Sequence, residues 1–194
     1  PGALPVLRTR TTLNTGANGY SNCRNRVRKM LIIRPATIDD LPDITDIYNE
    51  AVRTTDATFD IEPKTVEERT GWFNAHDSRH PILVAAGNGT VIGWASLSRW
   101  SERLAYADTA EISVYVKDGF RGKGAGRKLM ETALDKGREA GLHAILSRIV
   151  AGNQQSIRLH ESLGFEHVGV MREVGRKFGR LLDVAVMQKI YPSS

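Results

Sequence analysis

From residue 31 onward, apolar positions alternate between two rhythms, one of strands and one of helices. Leu31-Ile32-Ile33-Arg34 reads as a short strand. Thr37-Ile38-Asp39-Asp40 has the form of a capping box, and Leu41, Ile44, Ile47, Tyr48 and Ala51 follow at helical spacing. Thr65-Val66-Glu67-Glu68 repeats the start signal for a second helix that runs to about His76. Ile82 to Ala86 and Val91 to Leu97 read as strands, and Gly87-Asn88-Gly89 between them as a hairpin turn. Glu111 to Lys117 is a further strand. Ala125, Leu129, Met130, Ala133 and Leu134 mark a third helix closed by Gly141. After a strand from Ala144 to Val150, Asn153 caps a fourth helix that stops at Gly164, and Phe165 to Met171 and Leu182 to Ile190 finish as strands. The expected order is βααβββαβαββ, with no internal repeat and no linker inside 30–190.

Composition changes the picture at one end only. The net charge of +5 suggests a nucleic-acid partner. Yet Arg8, Arg10, Arg24, Arg26, Arg28 and Lys29 all lie in residues 1–29, which carry no acid, so the rest of the chain is close to neutral. Residues 1–29 show no sustained periodicity. They read as a disordered basic extension, or as a start assigned too early, ahead of one domain over 30–194. They lack the apolar stretch of a secretory signal; an Arg-rich, acid-free leader also has the look of a mitochondrial transit peptide. No apolar run approaches a membrane span. The single Cys23 excludes an intrachain disulfide and fits a reducing, cytoplasmic setting. His76, His80, His143 and His167 are scattered without metal-ligand spacing, so no metal is expected.

The most informative stretch runs from Glu111 to Arg127. A strand enters a glycine-dense loop, Arg121-Gly122-Lys123-Gly124-Ala125-Gly126, that opens a helix. Glycines let the backbone turn tightly and approach a ligand. The first helical N–H groups have no partner within the helix and, with the helix dipole, form an anion site. Arg121, Lys123 and Arg127 add positive charge, and the expected ligand is a pyrophosphate. The glycines fall as G-x-G-x-G rather than the G-x-G-x-x-G of dinucleotide folds, and Gly122-Lys123 is followed by Gly124 rather than the Ser or Thr of a Walker loop. A glycine-rich turn that binds nothing is the plain alternative.

Arg121-x-x-Gly124-x-Gly126 after Val114-Tyr115-Val116 resembles motif A of the GNAT superfamily of N-acetyltransferases, Arg/Gln-x-x-Gly-x-Gly/Ala, and the element order matches that fold. Asn153-Gln-Gln-Ser156-Ile-Arg-Leu-His160-Glu-Ser162-Leu-Gly-Phe165 is similar to the form used by the phosphinothricin and methionine sulfoximine acetyltransferase group. Trp100-x-x-Arg103-x-x-Tyr106-x-x-Thr109-Ala-Glu111 and Val174-Gly-x-Lys177-Phe-Gly179-x-x-x-Asp183 agree with it. The resemblance covers about residues 31–191. It implies an α+β, three-layer fold with a mixed central sheet flanked by helices, acetyl-CoA as cosubstrate, and a homodimer. It implies that Val114, Tyr115 and Val116 run beside the pantetheine arm and that Gly122 to Arg127, including Ala125, hold the pyrophosphate. Asn153 and Ser162 would contact the CoA from the next helix. Ser101 to Arg103 and Glu111, Ile112 and Ser113 would line the amine side. Trp100-Ser101 stands where sulfoximine-type relatives have Trp-Arg, which makes Arg103 the candidate grip for a substrate carboxylate or phosphinyl group. Leu181 stands where relatives often have Trp.

The chemistry sets its own demands. An amine attacks a thioester only as the free base, so a group must accept its proton. Glu111 is the candidate base, and a part-buried carboxylate there would have a raised pKa. An ammonium partner without catalytic duty, or an exposed edge glutamate, are the alternatives. Side chains alternate, so Glu111, Ser113 and Tyr115 share one strand face and Ile112, Val114 and Val116 the other. The tetrahedral oxyanion calls for a free strand N–H near Val114, which rests on the resemblance. The thiolate needs a proton donor; His160 stands where many relatives have Tyr, and its imidazole N–H is the candidate, against a ring satisfied by a backbone carbonyl. Trp100, Phe59 and Tyr106 line the substrate pocket or are plain core. Trp94 shares the strand face of Trp100. Direct transfer in a ternary complex needs no nucleophile. The expected activity is acetylation of the amino group of a small amino-acid-like substrate. The alternatives are another amine (polyamine, aminoglycoside or protein terminus), a non-catalytic acetyl-CoA sensor, or nucleic-acid binding through the tail. Retention of Glu111 and His160 argues against the sensor.

Overall fold

The structure, a computed structural model, describes residues 31–87 and 89–192. The basic extension 1–29 with Cys23, and Asn88 of the hairpin turn, lie outside the described residues.

Among the described residues, seven strands are formed: β1 (Ile32–Pro35), β2 (Ile82–Gly87), β3 (Thr90–Arg99), β4 (Thr109–Val116), β5 (Ala144–Val150), β6 (Glu166–Lys177) and β7 (Arg180–Ile190). They make one sheet in the order β1-β2-β3-β4-β5-β7-β6. Every neighbouring pair is antiparallel except β4 with β5. The α-helices of the described residues, α1 (Leu41–Thr54), α2 (Val66–Asn74), α3 (Ala125–Glu139) and α4 (Gln154–Ser162), cover the sheet. On one face Ile44 and Ile47 of α1 and Trp72 and Phe73 of α2 pack on Ile82, Val84, Val91 and Trp94. On the other, Leu129, Met130, Ala133 and Leu134 of α3 and Ile157 of α4 pack on Leu83, Ala95, Leu97, Ile112 and Ile145. The mixed, three-layer α+β arrangement expected from the sequence is therefore present. Its core is removed from water on both sheet faces, at about 25 cal/mol for each Å² of apolar surface buried.

The helix starts follow the sequence. Thr65 N–H donates to Glu68 at 2.7 Å and Glu68 N–H donates to the Thr65 hydroxyl at 3.2 Å, a reciprocal capping box. At Thr37 the matching bonds go to Asp40, which also receives both arms of Arg34 at 2.6 and 2.7 Å, and the chain makes a 3-10 turn before α1 begins.

The β4–β5 pair positions the site. It is in register over Thr109, Ala110 and Glu111 alone, opposite Ala144, Ile145 and Leu146. Beyond Glu111 the strands separate. β4 stays fully paired to β3 on its other edge. Trp100 N–H donates to the Thr109 carbonyl and Lys117 N–H to the Ile92 carbonyl. The two-residue alternation of an antiparallel ladder therefore turns the backbone of Glu111, Ser113 and Tyr115 towards β3. The same alternation turns the N–H and C=O of Val114 and Val116 into the gap left by β5.

Candidate active site

The gap opens into a pocket of about 460 Å³, within the range of small-ligand sites. One end is the splayed backbone of β4. Its walls come from β5, from α4, from the loop 55–65 and from β6. Among the sequence-predicted residues, Glu111, Ile112, Ser113, Val114, Tyr115, Asn153 and His160 line it, and so does Phe59. Trp100, Ser101, Arg103 and Tyr106 do not; they lie in the β3–β4 connection, which runs through a 3-10 turn at Leu104–Tyr106.

The loop 55–65 is fixed from several sides. Tyr48 donates to Asp60 at 2.7 Å and meets the Thr58 hydroxyl at 2.9 Å. Asn49 exchanges two bonds with Lys64. The buried Lys177 ammonium donates to the Thr58 carbonyl at 2.8 Å. Burial lowers the Lys177 pKa, with Asp56 and Asp60 acting in the opposite sense.

Below the gap, β4 runs into the glycine turn. Gly122 and Gly124 have φ of 73° and 88°, a backbone region that side chains with a Cβ rarely adopt. Gly124 caps α3, and the first bond inside the helix is Lys128 N–H to the Gly124 carbonyl. The N–H groups of Ala125, Gly126 and Arg127 thus have no partner within the helix. The three expected cations gather here, but each also holds a protein oxygen. Arg121 donates to the Val116 carbonyl at 2.9 Å and to Glu50 at 3.1 Å, Lys123 donates to the Gly119 carbonyl, and Arg127 donates to Ser162 at 2.6 Å. These bonds shape the turn and join it to α1 and α4.

At the other end, Glu111 is held by a salt bridge. Arg148 of β5 donates through Nε to Oε1 at 2.6 Å and through Nη2 to Oε2 at 2.7 Å. Hydrogen bonding to Glu111 raises the Arg148 pKa.

His160 is buried on α4. Its Nδ1 lies 2.8 Å from the Ser156 carbonyl and its Nε2 3.0 Å from the Ser147 hydroxyl. A carbonyl only accepts, so the neutral ring carries its proton on Nδ1 and its Nε2 accepts from Ser147. Burial lowers its pKa and so favours the neutral ring, opposed in part by the Ser156 bond, which raises it. Of the two readings of His160, the geometry matches the ring satisfied by a backbone carbonyl, and in the neutral ring the hydrogen of the Ser147 contact is Ser147's own. Asn153 likewise uses its side-chain oxygen to cap α4, accepting from Ser156 N–H at 3.1 Å.

Sequence reasoning missed Arg148, Ser147, Asp56, Met171 and Val174, all pocket-lining. The period-two pattern of β5 puts Ser147 and Arg148 on opposite faces, a weak signal. Nothing in the sequence sets β5 parallel to β4 with Leu146 opposite Glu111. Among the described residues, no group of three or more His, Cys, Asp and Glu is arranged to hold a metal, and no helix is long and apolar enough to cross a membrane.

Comparison with known proteins agrees with this geometry. The profile of the acetyltransferase (GNAT) family matches residues 42–165. A Pseudomonas paraeruginosa L-methionine sulfoximine/L-methionine sulfone acetyltransferase is 44% identical over 158 residues, 80% of this chain and 92% of that protein. A phosphinothricin N-acetyltransferase of Streptomyces coelicolor is 41% identical over 157 residues, 79% of this chain and 92% of its own. The solved structure of the acetyltransferase yncA from Salmonella typhimurium, with its cofactor acetyl-CoA, superposes with a TM-score of 0.82 at 39% identity, over 85% of this chain and 96% of that one.

Proposed function

The chain belongs to the GNAT acetyltransferase family, and from that premise we propose that it moves the acetyl group of acetyl-CoA to the α-amino group of a small amino-acid-like substrate. The observation that carries this reading is the separation of β4 and β5 beyond Glu111, which joins the glycine-turn helix start to a polar pocket through a strip of β4 backbone that β5 does not pair.

Acetyl-CoA supplies an activated thioester. The N–H groups of Ala125, Gly126 and Arg127 take its pyrophosphate, with Arg121, Gly122, Lys123 and Gly124 forming the turn. The pantetheine arm follows Val114, Tyr115 and Val116, and Ser162 stands beside it through Arg127. The amine enters from the Glu111 face, where Ile112 and Ser113 continue the wall. The free amine attacks the thioester carbon, and Val114 N–H donates to the oxyanion that forms. Glu111 receives the amine proton, directly or through a water. Its two oxygens are already used by Arg148, so this proton is accepted on a remaining lone pair. The C–S bond then breaks. The CoA thiolate leaves as the anion and takes its proton from solvent, while His160 Nε2 holds the Ser147 hydroxyl in the pocket wall, which makes His160 a positioning residue.

A homodimer belongs to the same reading. The edge strand β6 leaves Val168, Val170, Met171 and Val174 exposed, and the last two also line the pocket. A cytoplasmic, reducing setting fits the chain's one cysteine. A metal has no step in this scheme.

Release of free thiol from acetyl-CoA tests the proposal, with L-methionine sulfoximine, L-phosphinothricin, spermidine and an amine-free blank. Turnover of the first two is expected, reduced by roughly 100-fold or more in Glu111→Gln as for loss of a general base. Turnover of spermidine alone removes the amino-acid reading. An unchanged Glu111→Gln rate removes Glu111 as base.

A further inference from the structure

Arg148 lies at the polar end of the pocket and has more donors than its protein partners use. It leaves β5 two residues past Leu146, the residue paired with Glu111, and reaches back to that carboxylate. Its guanidinium carbon lies 5.6 Å from the Trp100 ring, so an aromatic face also bounds it. A guanidinium carries five N–H donors. The Glu111 pair occupies the edge made by Nε and one hydrogen of Nη2. The opposite edge, Nη1 with the second Nη2 hydrogen, has no protein acceptor among the described residues, and the side chain remains 52% exposed. That edge is a planar two-donor fork of the shape that binds a carboxylate bidentately. Arg103, the cation expected to do this from its place in the sequence, does not line the pocket.

We infer that Arg148 is the receptor for the α-carboxylate of the substrate, gripping it on the Nη edge while its Nε edge holds Glu111 beside the α-amine. The inference rests on the amino-acid reading proposed above and names the residue that enforces it. In an α-amino acid the two charged groups share one carbon, so a carboxylate seated on Arg148 delivers the amine to Glu111, which the same guanidinium orients. The Glu111–Arg148 pair is complementary, charge for charge, to an amino-acid zwitterion. A polyamine brings a second cation against Arg148 and is repelled. The anionic group required is a carboxylate adjacent to the amine, whatever the side chain beyond it.

The test compares kcat/KM, by thiol release, for L-methionine sulfone and for its α-carboxamide, in the wild type and in Arg148→Gln and Arg148→Lys. The ratio between the two substrates is the readout, because any change in Glu111 that follows from losing its partner affects both substrates alike. A charge-assisted bidentate contact predicts a wild-type preference for the acid of roughly 10- to 100-fold. That preference collapses to near unity in Arg148→Gln and is partly kept in Arg148→Lys, which retains the charge without the fork. Unaltered acetyl-CoA affinity in both variants establishes that they fold. A wild-type ratio that persists in both variants, or that vanishes instead in Arg103→Gln, overturns the inference while leaving the amino-acid reading intact. If the wild type shows no preference between acid and amide, the inference fails in the same way. If the wild type acetylates neither compound yet acetylates spermidine, the amino-acid reading falls and takes the inference with it.

Discussion

A backbone carbonyl decides the proton inventory of the pocket's buried dyad. Because the Ser156 carbonyl claims Nδ1–H, His160 presents a lone pair to Ser147, and burial lowers the ring's pKa below the ordinary value of 6.5. A depressed histidine pKa has a definite sign in stability. Between the folded value and 6.5 the unfolded chain binds a proton that the folded chain refuses. The contribution is complete above the unfolded pKa and is lost as pH falls through that window. Asp40, whose pKa Arg34 lowers from 3.8, acts at far lower pH and does not interfere. His76, also lowered by burial, contributes the same slope independently. The expected result is a smaller fall in Tm between about pH 7.5 and about pH 5.5 for His160→Gln than for the wild type. Equal falls in the two proteins would show that the ring is not held neutral. At this scale the sequence was partly legible. Strand parity placed Glu111, Ser113 and Tyr115 together, because alternation is local. Arg148 and Ser147 were not legible, because their meeting with Glu111 and His160 depends on which strand lies beside β4 and in which direction.

Helix α4 joins the dyad to the CoA side, and its first turn depends on one side chain. Asn153 was read both as a cap and as a CoA contact; the structure spends its Oδ1 on Ser156 N–H, the same residue whose carbonyl orients His160. Asn153→Ala is expected to cost about 1 kcal/mol in urea denaturation, and Asn153→Ser, which caps equally well, to restore it. If the two variants are equally destabilised, the cap is not what the asparagine supplies. The helices were legible because they announce themselves with caps and a 3.6-residue apolar stripe. The β6–β7 hairpin was less so: β6 runs six residues past the expected Met171, and β7 starts two before Leu182. Arg172-Glu173-Val174-Gly175-Arg176-Lys177 has no apolar alternation, because nearly all of β6 is exposed on both faces. A bulge with Glu173 at φ 52° breaks the register between Met171 and Gly175. The turn itself, Phe178-Gly179, has positive φ at both residues, as a type I′ turn requires, but Phe is not a residue that advertises one.

On the scale of the molecule, that same hairpin edge is the surface least suited to stand alone. β6 ends the sheet, so one of its edges has no strand partner among the described residues, and Val168, Val170 and Val174 are about half exposed beside it. Proteins normally blunt such an edge with charge or cover it. Arg172 and Glu173 interrupt the apolar row without removing it. A second copy of the chain on this edge would bury those valines and enclose the side of the pocket formed by Met171 and Val174, coupling assembly to substrate binding. The expectation is a dimer in light scattering after size exclusion. Val170→Lys should convert it to the mass of one chain and raise KM for the amine, while acetyl-CoA, which the proposed function seats at the far end of the β4–β5 gap, keeps its affinity. A wild type that runs as one chain at micromolar concentration, or a Val170→Lys protein that stays dimeric, would rule out β6 as the interface. A monomeric variant with unchanged KM would instead show that the pocket is complete within a single chain, and that Met171 and Val174 need no cover to serve it.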